Sequence, residues 1–547
     1  MISKVRATIS KANKRLPLKL AAVLLAGSSL IASVLGLFRD RLLNGLYYQT
    51  YPTGIDAYTV AFTIPDFMFF ILVSGALSVT FIPVFNQRLA TGNKKSAWEL
   101  STSLLNLMAL LTLATSVLII IFAEPLVHFV VGPGLDESSR ALAVSMMRVI
   151  AINPFLFAIA TVIASMQQAV GRFAFYALAP VLYNTGIIIG ALFFTNGIYF
   201  FGIQIFEGGI MGVALGVVLG SIMQMLVSSL GLFGMGFDYR FKIYWKNRGL
   251  HQVLRLLPAR SLDQGIDYVN SIVETNLASR MSMGSVRAYQ QATSLSFVPI
   301  NLIGVAISTA AFPKMTERLG QGRPDLFKKE LQAVLRVIIW LALPVTVIAY
   351  FGRGYLVSFI NNGGDAYMSS ILAILALTIV FRSIYFISAR SFYAQQDTKT
   401  PLYISLFTIS LNVALAIWFS MNLHMGVYGL AWAAVIVSGV EVAILFVIMS
   451  RRIPGLFDNI FIHATGRMVF SAGLMSVVTY IMLQMLPLSA SDQSFFMAFP
   501  KFVLIVIVSG IVYLLASFIF KLGEVQPVIK QIKAALLLIM KPFKRKA

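Results

Sequence analysis

Apolar residues in this chain run in long blocks, not in the three-or-four spacing of a surface helix or the alternation of a strand. About fourteen blocks of roughly 20 residues follow one another, from 17–37 to 499–520. Each is long enough to cross a hydrocarbon core of about 30 Å as a helix. The pattern predicts an all-α polytopic membrane protein with about 14 transmembrane helices. Polar connections between the blocks are short, so no soluble domain is expected.

Where the positive charge sits gives the orientation. Alternate connections collect Arg88, Lys94 and Lys95; Arg172; Arg240, Lys242, Lys246 and Arg248; Lys314, Arg318, Arg323, Lys328 and Lys329; Arg390 and Lys399; and Arg451 and Arg452. The intervening connections are poor in Lys and Arg. This is the positive-inside pattern, and it places both termini in the cytoplasm and the protein in the cytoplasmic (inner) membrane. The net charge of +22 is then explained by topology and by attraction to anionic lipid, not by nucleic acid. The first block, followed directly by Arg39-Asp40-Arg41, reads as an uncleaved span and not a signal peptide. Val525 to Ala547 mixes Ile, Leu and Met with Lys and Arg, and reads as an interfacial amphipathic tail.

Two internal echoes set the domain organisation. Phe81-Ile82-Pro83 through Gly92 is echoed by Ala311-Phe312-Pro313 through Gly322, an offset of 230 residues; Ala169 to Tyr176 is echoed by Ala394 to Pro401, an offset of 225. Two units of six spans fit this spacing. Six is even, so the units enter from the same side as parallel repeats, with a substrate site expected between them. The expected division is a cytoplasmic tail (1–16), a first six-helix lobe (17–236), a cytoplasmic linker (237–255), a second lobe (256–449), two extra helices (464–520) and a basic cytoplasmic tail (521–547).

Composition limits the chemistry. With 58% hydrophobic residues, no cysteine and only four histidines, thiolate and imidazole metal sites are not expected, and neither is a metal or cofactor of any other kind. No GxxxxGK[ST] loop, HExxH or long acid-rich loop suggests an enzyme. Candidate binding groups are therefore charges inside spans. Span two carries Asp56 and Asp66 with Pro65 and Gly75; span eight carries Gln290, Gln291, Pro299 and Gly304. These are either breaks beside a polar cavity or ordinary kinks. In span seven, Asp263, Asp267, Asn270 and Glu274 fall at i, i+4, i+7 and i+11, one stripe that cannot face lipid. It either lines a wet cavity or forms a seam with Arg148 or Arg382. Glu441 and Arg382 are further charges within spans twelve and ten.

Leu35-Gly36-Leu37-Phe38-Arg39-Asp40, Asp56-Ala57, Ile64-Pro65 and Phe81-Ile82-Pro83 resemble the opening of MurJ-type lipid II flippases, of the multidrug/oligosaccharidyl-lipid/polysaccharide exporter superfamily. The likeness continues in order through Gly171-Arg172-Phe173, Ala179-Pro180 and Asn184, Pro258-Ala259-Arg260, Phe297-Val298-Pro299 and Phe392 to Pro401. It implies a flippase that moves lipid II, a polyprenyl-diphosphate-linked glycan, from the inner to the outer leaflet for cell-wall biogenesis. It also implies a cavity between the lobes whose arginines meet the diphosphate, and a tail groove on the last two helices. Arg39, Asp40, Asp56, Arg260, Asp263 and Asp267 are the cavity candidates. Asp267 and Asn412 are the candidates for a coupling cation, with Na⁺, H⁺ or the membrane potential as driving force.

The sequence departs from the family where Ser33, Phe69 and Ser294 stand at expected arginines and Ser74 at an expected glutamate. Either Arg39, Arg41, Arg148, Arg260 and Arg287 supply the positive charge, or the cargo differs. The alternatives are an exporter of another polyprenyl-linked oligosaccharide or an amphiphilic drug, and a non-transporting membrane scaffold.

Overall fold

The computed structural model describes residues 18–200, 203–489, 492 and 494–527; side chains at 18–19, 21–23, 26, 74–79, 199–200, 203, 256 and 258–267 fall outside that description. The basic tail 1–16 and residues 528–547 of the amphipathic tail are outside it as well. Among the described residues twelve helices are long and apolar enough to cross a membrane, against about fourteen expected. The long helices outside that set are α1 (Leu18–Leu43) and α9 (Arg248–Ser279), the second interrupted throughout by polar and charged positions.

The chain forms two compact units, Met1–Arg287 and Ala288–Ala547. In the first, α1 is followed by α2 (Pro52–Phe69), α3 (Gly75–Ala90) and α4 (Lys94–Pro125), then by α5 (Glu137–Ile150) and α6 (Asn153–Ala169). The break between α5 and α6 falls just ahead of Pro154, whose ring cannot continue a preceding turn but suits a helix start. α7 (Ala174–Phe193), a small hairpin of β1 (Ile198–Phe200) and β2 (Ile203–Phe206), α8 (Met211–Leu230) and α9 complete the unit. Its core is Phe81, Phe85, Leu100, Leu104, Met166 and Leu250, all fully buried. α9 packs on α2 and α3. It begins at Arg248, ahead of the apolar block at 256, because Asn247 caps its first turn.

The tightest pairing in the unit is α7 on α8. Lipid tails are as apolar as Leu, so helices in a bilayer associate through close packing of small residues. Gly186 and Gly190 of α7 meet Gly216 and Gly220 of α8: a Cβ on Gly186 would stand 2.3 Å from the Gly220 Cα, and one on Gly190 2.4 Å from the Gly216 Cα. This four-residue glycine spacing on both helices is readable in the sequence.

In the second unit, the rest of α10 (Ser285–Ile300) leads to α11 (Ala306–Gly320), α12 (Pro324–Phe351), α13 (Arg353–Ile360), α14 (Ala366–Ala376) and α15 (Thr378–Ala394). α16 (Lys399–Ile417), α17 (Val427–Arg452), α18 (Asn459–Met485) and α19 (Phe495–Ile519) follow. Phe327, Leu335, Ile338, Trp340, Phe392 and Met468 form the core. The last two helices dock on α12: Trp340 Nε1 donates to Ser517 Oγ at 3.1 Å and Tyr513 Oη donates to the Trp340 carbonyl at 2.8 Å.

Both sequence echoes recur as backbone geometry. A π-helical turn precedes α3 at Phe70–Ser74 and α11 at Asn301–Val305. Gly92 and Gly322, after these helices, both have positive φ. At the second echo Gly171 has φ 76° and Gln396, at the matching position, holds φ 61° although it is not glycine.

Candidate functional site

α1 is apolar up to Phe38 and then presents Arg39 and Asp40, the first charges after Lys19. Charges at this depth cost several kcal/mol unless partnered, so their partners decide what they can do. Arg39 donates to Asp40 Oδ1 from Nε (3.2 Å) and Nη2 (3.0 Å), and from Nη1 to Asn184 Oδ1 of α7 (3.0 Å). Asn184 is fixed in turn by Nδ2 bonds to the carbonyls of Ala32 (3.3 Å) and Pro180 (3.1 Å), so its oxygen faces the guanidinium.

A second guanidinium enters from α10. Arg287 Nη2 lies 3.4 Å from Asp40 Oδ1, and Nε donates to Asn44 Oδ1 at 3.0 Å. Two arginines thus converge on one carboxylate. Their accessibility differs: the Arg287 side chain is 5% exposed and that of Arg39 24%.

Asp56 does different work. Its Oδ2 accepts the Gly284 amide at 2.7 Å and its Oδ1 the Arg287 amide at 2.8 Å, so the carboxylate, near the start of α2, caps α10. The unpaired amides and partial positive charge of a helix N-terminus suit an anion there. Gly284 presents its amide from φ +83°, a left-handed conformation that side chains disfavour. Asp56 is 3% exposed. It positions Arg287 and is occupied in doing so.

Other candidates divide as follows. Arg260, Asp263 and Asp267 lie on α9, but their side chains are outside the described ones. In the described part of that stripe, Asn270 Nδ2 donates to Glu274 Oε1 at 2.9 Å. Asn412 is buried in α16 of the second unit. Arg382, one of the two arginines considered for a seam with the stripe, pairs with Glu441 at 3.6 Å, and Thr408 Oγ1 donates to the same carboxylate at 3.2 Å. Arg148 donates to the Ile120 carbonyl at 3.4 Å. Among the described residues no cluster of three or more His, Asp or Glu is suited to a metal ion.

At the family's arginine positions, Ser33 and Ser294 are exposed, whereas Phe69 packs edge-on to Phe70 and Phe157 at 5.4 and 5.3 Å between ring centres. Asn44, not among the residues that the sequence marks as candidates, follows Asp40 by four residues, on the same helix face. Its partner Arg287 is 243 residues away, and nothing local announces that pairing.

The two helical units, with twelve helices long and apolar enough to cross a membrane among the described residues, define an all-α, multi-pass membrane protein. Residues 52–519 match the family model described as lipid II flippase MurJ, and the chain belongs to that family. The probable lipid II flippase MurJ of Thermotoga maritima is 24% identical over 507 residues, 91% of this chain and 96% of the relative. In fold the chain is similar to a structure titled lipid II flippase MurJ, inward closed conformation: TM-score 0.72, 22% identity, covering 91% of this chain and 98% of the other. It is also similar to an inward-facing multidrug resistance MATE family transporter of the MOP superfamily: TM-score 0.66, 18% identity, 80% and 99% covered.

Proposed function

We propose that this protein moves lipid II from the inner to the outer leaflet of the cytoplasmic membrane by alternating access, with both termini cytoplasmic. The observation that carries the reading is the convergence of Arg39 and Arg287 on Asp40. A planar guanidinium meets a diphosphate in bidentate fashion, which an apolar wall cannot do. Asp40 neutralises the pair while the site is empty, and the cargo's diphosphate takes over from it on Arg39, the more exposed of the two. Arg287, anchored by Asn44 and by its own amide on Asp56, serves as the positioning charge behind. The distribution of Lys and Arg supports the orientation. The driving force is proposed to be the membrane potential or a Na⁺ or H⁺ gradient, with Asp267 and Asn412 as the candidate cation ligands.

A second reading, export of another polyprenyl-linked oligosaccharide or of an amphiphilic drug, draws on Ser33, Phe69 and Ser294 and on the fold shared with a drug transporter. One experiment separates the two. The purified protein is offered equimolar lipid II, undecaprenyl diphosphate and a neutral polyprenol, and retained lipid is read by native mass spectrometry. Selective retention of lipid II, weakened by Arg39→Ala, is the expected result. Equal retention of all three would remove the diphosphate from the recognition and favour the second reading.

A further inference from the structure

At the ends of α3, α4 and α9 in the first unit lies a cavity of about 800 Å³. Its lining includes Arg88, Lys242, Lys246 and Arg248, and a single carboxylate, Glu99. None of the four cations has an ion-pair partner among the described residues.

The cavity is built by buried polar groups. Asn106 of α4, 5% exposed, donates through Nδ2 to the carbonyls of Arg240 (2.8 Å) and Lys242 (3.0 Å), and its Oδ1 accepts from Tyr239 Oη (2.9 Å). Buried Ser103 accepts the Tyr244 amide at 2.8 Å. Asn247 donates to the Ser96 carbonyl at 3.0 Å while it caps α9. Arg88 Nε donates to Ser96 Oγ at 3.3 Å, and a Cβ on Gly249 would strike the Arg88 guanidinium at 2.5 Å. These side chains hold backbone, and the cations of the segment 242–248 are left to the cavity. Beside them Phe241 is 87% exposed and Trp245 55%. Exposed aromatics next to Lys and Arg at the end of membrane helices mark the headgroup level of a bilayer.

We infer that this cavity binds the phosphate of an anionic phospholipid of the surrounding leaflet, with Phe241 and Trp245 beside the acyl chains. Cations alone would serve a free phosphate as well; the exposed rings favour a lipid. The inference is independent of the cargo: it concerns a lipid that stays in its leaflet.

In the test, full-length protein in detergent is titrated with dioleoylphosphatidylglycerol or dioleoylphosphatidylcholine, and bound lipid is counted by native mass spectrometry. Phosphatidylglycerol should be preferred, and the triple variant Lys242→Ala, Lys246→Ala, Arg248→Ala should weaken it by about tenfold or more, since each basic group near the surface contributes to anionic-lipid binding. A control triple, Lys329→Ala, Lys399→Ala, Arg451→Ala, removes the same charge from exposed positions of the second unit and should change affinity by less than about twofold. All six residues are exposed, so both variants should fold, which equal thermal midpoints would verify. An equal loss in both triples would mean diffuse attraction and overturn the site. So would displacement of the bound lipid by millimolar glycerol 3-phosphate, the mark of a free-phosphate site.

Discussion

A carboxylate inside a span invites a functional reading, and Asp56 shows how its partners can redirect it. Both oxygens are taken by amides at the start of α10, those of Gly284 and Arg287, at 2.7 and 2.8 Å. Removing a buried acceptor strands its donors, at about 1–3 kcal/mol for each unsatisfied group. Asp56→Ala should therefore lower the thermal midpoint of the detergent-solubilised protein clearly, and Asp56→Asn, which keeps one acceptor, should lower it less. A wild-type midpoint for Asp56→Ala would show that the cap contributes nothing. The sequence marked Asp56 as unusual because a lone acid in an apolar block is costly. It hid the purpose, since the amides lie 228 residues further on and backbone amides carry no side-chain signature.

At the scale of elements, hydropathy located the helices well and their ends less well. α9 starts where Asn247 caps it, and α5 and α6 separate at Pro154, both local signals inside a block that apolar counting treats as uniform. The turn from α15 to α16 shows how such an end is held. Asp397 accepts the amides of Lys399 (3.1 Å) and Thr400 (3.0 Å) and the Thr400 hydroxyl (2.6 Å), and pairs with Arg452 at 2.7 Å. Burial pushes this carboxyl up, but the Thr400 bonds and the Arg452 guanidinium outweigh it and hold the group down to about 2. An unfolded Asp titrates near about 3.9. The folded value is the lower one, so the stabilisation is complete above about pH 4 and fades as pH falls towards about 2. Between about pH 5 and pH 2.5 the wild-type midpoint should fall further than that of Asp397→Asn, which starts lower. Parallel curves for the two proteins would remove Asp397 from the acid response.

For the molecule as a whole, both echoes fall at tight turns whose backbone demands are specific: Gly92 with Gly322, and Gly171 with Gln396. They could not tell which neighbours α9 chooses, since its partners α2 and α3 are distant in sequence. Nor could they show that Arg287, on a later span, closes the Asp40 group. That closure ties stability to ligand. Arg39 and Arg287 both pair with Asp40, so Asp40→Asn removes the carboxylate that the two guanidinium groups share. Breaking a buried pair from one side costs about 3–5 kcal/mol, and the ligand-free variant should melt well below wild type. A bound diphosphate would replace the missing charge, and a ligand that binds only the folded state raises its stability in proportion to affinity. Undecaprenyl diphosphate should therefore raise the midpoint of Asp40→Asn by more than it raises that of wild type, and a neutral polyprenol should raise neither differentially. If the diphosphate shifts both proteins equally, Arg39 and Arg287 serve to hold the first unit together and the cargo's charge is met elsewhere.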